Sequence, residues 1–203
     1  MSGVNSLKDP ERVIALIAEA DLVTTAVGPT LLPKVASLIS EGLRDRETEA
    51  PVYVIACENM IGGSASLKQA IEASGGIGTA RASFPNAAVD RIVPLQQHED
   101  PLFVEVETFY EWVIETQGLD ARPPLHGVTW VDEIGPYIER KLFTVNTGHA
   151  IASYIGSLFE KGTIDEALKD RRVRQVVQGA LYETGWLLQI LRTGKPIPGI
   201  ARL

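Results

Sequence analysis

The chain is poor in the features that mark several protein classes. It has one cysteine, Cys57, in 203 residues. A single thiol excludes an intramolecular disulfide framework and fits a reducing compartment. Cys57 and three scattered histidines do not make a zinc site, so no metal is expected. There is no excess of basic charge: 19 Lys and Arg stand against 26 Asp and Glu, a formal charge of −7. Binders of nucleic acid or anionic membranes usually carry the opposite balance, so neither partner is expected. No apolar run approaches the roughly 18 residues of a membrane span. The opening MSGVNSLKDPERV has no apolar signal region. A soluble, cytoplasmic protein is therefore expected. Also absent is the G-x-G-x-x-G turn that follows the first strand of a dinucleotide-binding unit. Gly62-Gly63 and Gly75-Gly76-Ile77-Gly78 do not complete it, and the second cluster follows a helix. Both read as turns that use the conformational freedom of glycine.

What is present is a globular pattern. Apolar residues make up 45% and charged residues 22%, enough for a sizeable core in one ordinary domain or two small ones. Residues 10–20 have helical spacing, with Pro10 in the first turn. Asp21–Val27 is a β-branched run closed by Gly28-Pro29. Residues 30–43 are helical with Thr30 as a cap, and Glu41–Ala50 reads as a charged loop. Pro51–Cys57 is a continuous apolar run, as expected of a parallel strand covered on both faces. Residues 64–74 form a helix that ends at Gly75-Gly76. Val89–Pro94 and Leu102–Glu107 read as strands. The proline-rich Ala121–Leu125 marks a change of character. Beyond it helical patterns run over 131–160, 164–170 and 172–191, with no strand expected, and the last eleven residues read as a loop or tail. The expected architecture is α/β over 1–122, an incomplete Rossmann-like domain, followed by an all-α domain over 123–203.

Four segments carry chemistry. Glu139–Ala150, ERKLFTVNTGHA, contains Lys141, Asn146 and His149. On an α-helix the second and third lie about 140° and 80° from the first, on one broad face. An amine, an amide and an imidazole on an otherwise apolar helix form an unusual set. The alternative is a solvated lysine, an asparagine near Gly148 and a packed histidine. ACENM, residues 56–60, places Asn59 past the carboxyl end of a strand, where open α/β sheets receive ligands. It also reads as an asparagine that ends a strand. TTAVGP, residues 24–29, is a second strand end. In NAAVDRIVP, residues 86–94, Asp90-Arg91 reads as a paired charge.

Together these segments resemble the polyol-specific long-chain dehydrogenase family. K-L-F-T-V-N-T-G-H carries the family's lysine, asparagine and histidine at Lys141, Asn146 and His149. ACENM, FPNAAVDRIVP and VDEIGPYIERKLFTVNTGHA are most similar to the branch that acts on mannitol 1-phosphate. The branches that act on mannitol itself and on hexuronates share the Lys-Asn-His spacing and vary more between those residues. The resemblance runs from about Val13 to about Leu188.

The resemblance implies reversible, metal-independent hydride transfer between mannitol 1-phosphate and fructose 6-phosphate, with NAD as cofactor. Lys141 would be the general base. A lysine serves so when desolvation or nearby positive charge brings its pKa from about 10.4 toward neutrality. Ile138, Leu142, Phe143 and Arg140 surround Lys141 in sequence. Asn59 and Asn146 would donate amides to the developing alkoxide, and His149 would hold a neighbouring hydroxyl. Thr25, Ala26, Val27 and Gly28 would touch the cofactor. Arg91 and Arg140, with Asp90 beside the first, are candidates for the substrate phosphate. Family members resemble a full Rossmann domain followed by a longer helical domain, so the chain is expected to be a fragment that binds NAD weakly by itself. A remnant without activity, serving as an interaction domain, is the other reading.

Overall fold

The computed structural model describes residues 2–100, 102–119 and 121–193. The expected terminal loop or tail lies outside the described residues except for Thr193, which closes the last helix. The chain divides into two compact units, one ending at Ile134 and the other beginning at Gly135.

The first unit is built on the strand β1, Leu22–Thr25, and β2, Val52–Ala56. The two pair in parallel, and Val52 and Tyr53 of β2 pair in parallel with the short β3, Ala82–Ser83. The sheet order is β1-β2-β3, which makes β2 central. All five residues of β2 are buried, which explains the continuous apolar run. Alternate residues of a strand face opposite sides. Val52, Val54 and Ala56 meet the helices α1 (Pro10–Glu19), α2 (Leu32–Arg44) and α3 (Gly63–Ser74) through Ile17, Ala36, Ile39, Leu43, Leu67 and Ile71. Tyr53 and Ile55 meet a second sheet of β4 (Ala87–Asp90), β5 (Glu111–Glu115) and β6 (Thr129–Val131), through Ala87 and Ile114. There β4 and β5 are antiparallel, and β5 and β6 parallel.

Local chemistry sets the ends of these elements. Asp9 caps α1 by accepting from the Arg12 N–H at 3.2 Å. Thr30 is not a cap: it lies inside a 3₁₀ turn, Pro29–Leu31, that leads into α2. Helix α1 crosses α2 so closely that a Cβ on Gly42 would stand 2.6 Å from Ile17 Cβ. Residues 41–44 belong to α2 instead of the expected loop, and Arg46 beyond them is buried. Its guanidinium donates to the carbonyls of Ala18, Ala20 and Ala50, which satisfies the C-terminal end of α1.

Two strand expectations shift. The strand expected at Val89–Pro94 is β4, four residues ending at Asp90, and Ile92 and Val93 beyond it are exposed. Leu102–Glu107 is not a strand, and Leu102, Phe103 and Val104 are exposed. The strand falls at Glu111–Glu115 because Val113 and Ile114 there have a core to enter. β6 lies past Ala121–Leu125, where no strand is expected.

The second unit is helical among its described residues. Its elements are α4 (Gly135–Lys141), a π-helical turn (Leu142–Asn146), α5 (Thr147–Leu158), α6 (Ile164–Lys169) and α7 (Arg171–Thr193). Its core is small: Ala152, Ala167, Val173 and Val177, flanked by Ile151, Ile155, Phe159 and Leu181. Helices α5 and α6 approach through Gly156, where a Cβ would stand 2.6 Å from Ala167 Cβ.

Candidate active site

In the helical unit, Lys141 is the last residue of α4 and Asn146 closes the π turn. The Thr147 N–H donates to the Leu142 carbonyl, five residues back. The Thr147 hydroxyl donates to the same carbonyl at 2.7 Å, and the Thr144 hydroxyl donates to the Arg140 carbonyl at 2.6 Å. Hydroxyls that bond back to the previous turn compete with regular α-helical bonding and bend helices. In a π turn the residue five positions on closes the ring, so Lys141 and Asn146 lie on neighbouring turns, closer in angle than an α-helix would set them. Single π turns inside α-helices occur often at functional sites. His149 follows in the first turn of α5. Lys141, Asn146 and His149 are all half-buried. Gly148 between the last two is buried, and a Cβ there would stand 3.5 Å from Leu181 Cδ2 of α7. One helix therefore carries all three groups, and at Gly148 it packs beside Leu181 of α7.

In the first unit, a second group gathers at the C-terminal ends of β1 and β2. The Cys57 N–H donates to the Thr25 carbonyl at 2.8 Å and extends the pairing past the strands. The buried Glu58 then reaches back. Its two carboxylate oxygens accept from the Val27 and Gly28 N–H groups, each at 2.9 Å. Gly28 has φ +89°, and its carbonyl accepts from the Leu31 N–H. These two amides are thus already engaged, and a ligand at residues 25–28 would meet other groups. Thr25 Oγ1 is one: it is buried with no hydrogen-bond partner. Asn59 follows Glu58 in a bend and is exposed. The Cys57 thiol is pushed up to about 11, first by burial and then by the Glu58 charge, with the Trp112 indole acting the other way. It is a protonated, unreactive thiol at neutral pH.

The remaining sites divide. Arg91 Nε and Nη2 donate to the Glu107 carbonyl at 3.1 and 2.9 Å, and its guanidinium lies 5.5 Å from the centre of the Tyr110 ring. The Asp90-Arg91 pairing expected from sequence is therefore replaced by contacts to the following loop. Asp90 ends β4 half-buried, in register with Glu111. Arg140 lies 5.3 Å from the Tyr137 ring centre on the face of α4. Among the described residues no group of three or more His, Cys, Asp or Glu is placed to hold a metal ion. Sequence reasoning missed Glu58 and Arg46. The signal for Glu58 was an acidic residue directly after a fully apolar strand, a position too buried for an unsatisfied charge.

The fold and these groups define a class: a parallel-sheet unit with a hydrogen-bonded turn at its strand ends, followed in sequence by a helical unit that carries Lys, Asn and His on one interrupted helix. The model of the mannitol dehydrogenase Rossmann domain matches residues 1–127, and that of the mannitol dehydrogenase C-terminal domain matches residues 133–194. The chain belongs to the mannitol dehydrogenase family.

It is 84% identical over 187 residues to a mannitol-1-phosphate 5-dehydrogenase of an Exiguobacterium species, covering 92% of this chain and 49% of that protein. It is 62% identical over 193 residues to the protein of the same name from Exiguobacterium sibiricum, covering 93% and 50%. The chain thus spans about half the length of the curated relatives it matches. Among solved structures, the ternary complex of Pseudomonas fluorescens mannitol 2-dehydrogenase with NAD and D-mannitol matches at a TM-score of 0.70 and 20% identity, covering 97% of this chain and 49% of that one. A D-sorbitol dehydrogenase matches at 0.68 and 24%, covering 96% and 50%. At these identities the likeness is one of fold.

Proposed function

We propose that the protein carrying this chain interconverts mannitol 1-phosphate and fructose 6-phosphate with NAD, and that Lys141 is its general acid–base. The observation that carries this reading is the Lys141-Asn146-His149 set across a π turn, in a chain 84% identical to a relative of that name. NAD supplies the hydride acceptor for the alcohol carbon. The residues present fit it at one place: the orphaned Thr25 hydroxyl stands at the C-terminal edge of the parallel sheet, where such sheets take dinucleotides.

The roles of the side chains follow from their chemistry. The neutral Lys141 amine takes the proton from the reacting hydroxyl and, as an ammonium, returns it in the reductive direction. Asn146 and, on the family resemblance, Asn59 carry amide N–H groups suited to an oxygen that gains negative charge. His149 holds an adjacent hydroxyl. Arg91 and Arg140 remain the candidates for the substrate phosphate, with Asp90 beside Arg91. The contacts of Arg91 with Glu107 and Tyr110 and of Arg140 with Tyr137 compete with that role. Besides NAD, this chemistry requires the polyol phosphate as its small-molecule partner. Among the described residues no helix is long and apolar enough to cross a membrane. A cytoplasmic setting, with its polar sugar phosphates, is part of the same proposal.

The test is an enzyme in which this chain replaces the matching 187 residues of the 84%-identical relative. NAD-dependent oxidation of mannitol 1-phosphate is expected, well above that of mannitol. Lys141→Ala should lower the chemical step by at least about 10²-fold. Equal activity on mannitol and mannitol 1-phosphate would overturn the substrate.

A further inference from the structure

Glu58 is 5% exposed and carries a carboxylate that accepts from two consecutive backbone N–H groups, Val27 and Gly28. Two successive peptide N–H groups at the mouth of an α/β sheet are the usual receptor for phosphate. Here an internal anion fills that receptor. The link also joins the ends of two adjacent parallel strands, since Val27 and Gly28 follow β1 and Glu58 follows β2. The next residue is Asn59, which the proposed function places on the reacting oxygen.

Two properties single out a carboxylate for this place. It is acceptor-only at both oxygens, so it satisfies two donors at once. A glutamine would turn an NH₂ group against one of them. The carboxylate also leaves net negative charge where a ligand phosphate would otherwise bind. The neighbouring turn is fixed by Gly28 at φ +89° and by the Leu31 N–H to Gly28 carbonyl bond of 3.0 Å.

Resting on the reading of this chain as part of an NAD-dependent enzyme, we propose that Glu58 is a positioning residue. It locks the Val27–Gly28 turn and closes it to anions, so that this strand end receives the uncharged or cationic nicotinamide end of the cofactor and sets it in register with Asn59. Phosphate groups of cofactor and substrate are held elsewhere.

The experiment uses the full chain, isotopically labelled, with Glu58→Ala and Glu58→Gln variants, and reads individual amides by NMR. Both the Val27 and Gly28 amides in Glu58→Ala, and the one of the two that meets the NH₂ group in Glu58→Gln, should exchange at least about 10-fold faster, the loss of charge-assisted hydrogen bonds. The Val54 and Ile55 amides of β2 should exchange as before. Formate should restore protection in Glu58→Ala by replacing the missing carboxylate. Inorganic phosphate should shift the two amides of Glu58→Ala and leave those of the unsubstituted chain in place. The cation 1-methylnicotinamide, titrated to its solubility limit, should shift Thr25–Gly28 and Asn59 of the unsubstituted chain and do so less in Glu58→Gln. The proposal is overturned if β2 amides accelerate equally, if phosphate shifts the unsubstituted turn, or if 1-methylnicotinamide moves nothing there. Should Glu58→Ala fail to fold, Glu58→Gln carries the exchange and ligand comparisons. None of these readouts requires turnover, so a clamp that holds beside an inactive enzyme would count against the proposed reaction alone.

Discussion

The two units hold their functional groups by different means. The sheet unit does so with buried polar bonds over a filled core. Glu58 ties two strand ends together, Arg46 ties α1 to the loop before β2, and Leu43, Val54, Leu67 and Ile71 beneath them are almost fully buried. The helical unit relies on helix geometry. Its core is two alanines and two valines, and Tyr154, Leu158, Tyr182 and Leu191 remain exposed. There the register of Lys141 against Asn146 is held by hydroxyl-to-carbonyl bonds within one helix. The sheet unit thus holds the Val27–Gly28 turn, proposed to face the cofactor, by side-chain bonds from a neighbouring strand end. The helical unit carries the proposed base, Lys141, on a helix interrupted by a π turn.

The largest effect expected from this contrast is on stability. Leu67 is fully buried in the sheet unit, so Leu67→Ala should cost about 2–5 kcal/mol. Val177→Ala in the helical unit removes less volume from a smaller core and should cost about 2 kcal/mol. Thermal or urea unfolding followed by circular dichroism measures both. Equal losses would erase the distinction between the two cores.

A smaller effect sharpens the contrast in the helix. Thr147→Val keeps the side-chain shape and removes the hydroxyl bond to Leu142, a loss of about 1 kcal/mol. Hydrogen exchange at Thr147 should rise by several-fold, and Thr147→Ser should restore it. Unchanged exchange would mean that the π turn does not depend on that hydroxyl.

The smallest effects come from pH, and they fall on opposite sides of neutrality. Cys57 titrates near 11 in the folded sheet unit, against an ordinary value of 9.0. The fold favours the neutral thiol, so that contribution is complete below about 9 and is lost as pH rises toward 11. Asp170, in the helical unit, is held well below the usual carboxylate range by the Arg172 side chain and backbone N–H. Its contribution is present above the ordinary carboxylate pKa and is lost as pH falls through the depressed value. Melting curves of Cys57→Ala and Asp170→Asn across pH should therefore converge with the unsubstituted chain at opposite extremes.

Much of the first unit was legible because period and punctuation agreed. The continuous run of β2, the helical spacing of α1 and α3, and the glycines after α3 each had one consistent local reading. The errors arose where the partner decides. FVEVE at residues 103–107 alternates like a strand yet finds no sheet, whereas EWVIE at 111–115 pairs with β4 on one side and β6 on the other. The Lys-Asn-His spacing was legible as a motif. Its winding was not, because α and π turns share one composition and differ only in which carbonyl each N–H meets. The role of Glu58 was not legible because the two N–H groups it accepts from belong to residues 27 and 28, on a different strand end far away in sequence.

The central claim is that Lys141 is the acid–base group, and one measurement tests it most directly. The pH profile of kcat/KM for mannitol 1-phosphate oxidation is recorded for the chimeric enzyme and its Lys141→Ala variant, alongside NADH affinity. The expected result is a fall of at least about 10²-fold, loss of the ionisation that governs the rising limb, and nearly unchanged NADH affinity. A Lys141→Ala enzyme that keeps near-normal turnover and the same ionisation would contradict the account.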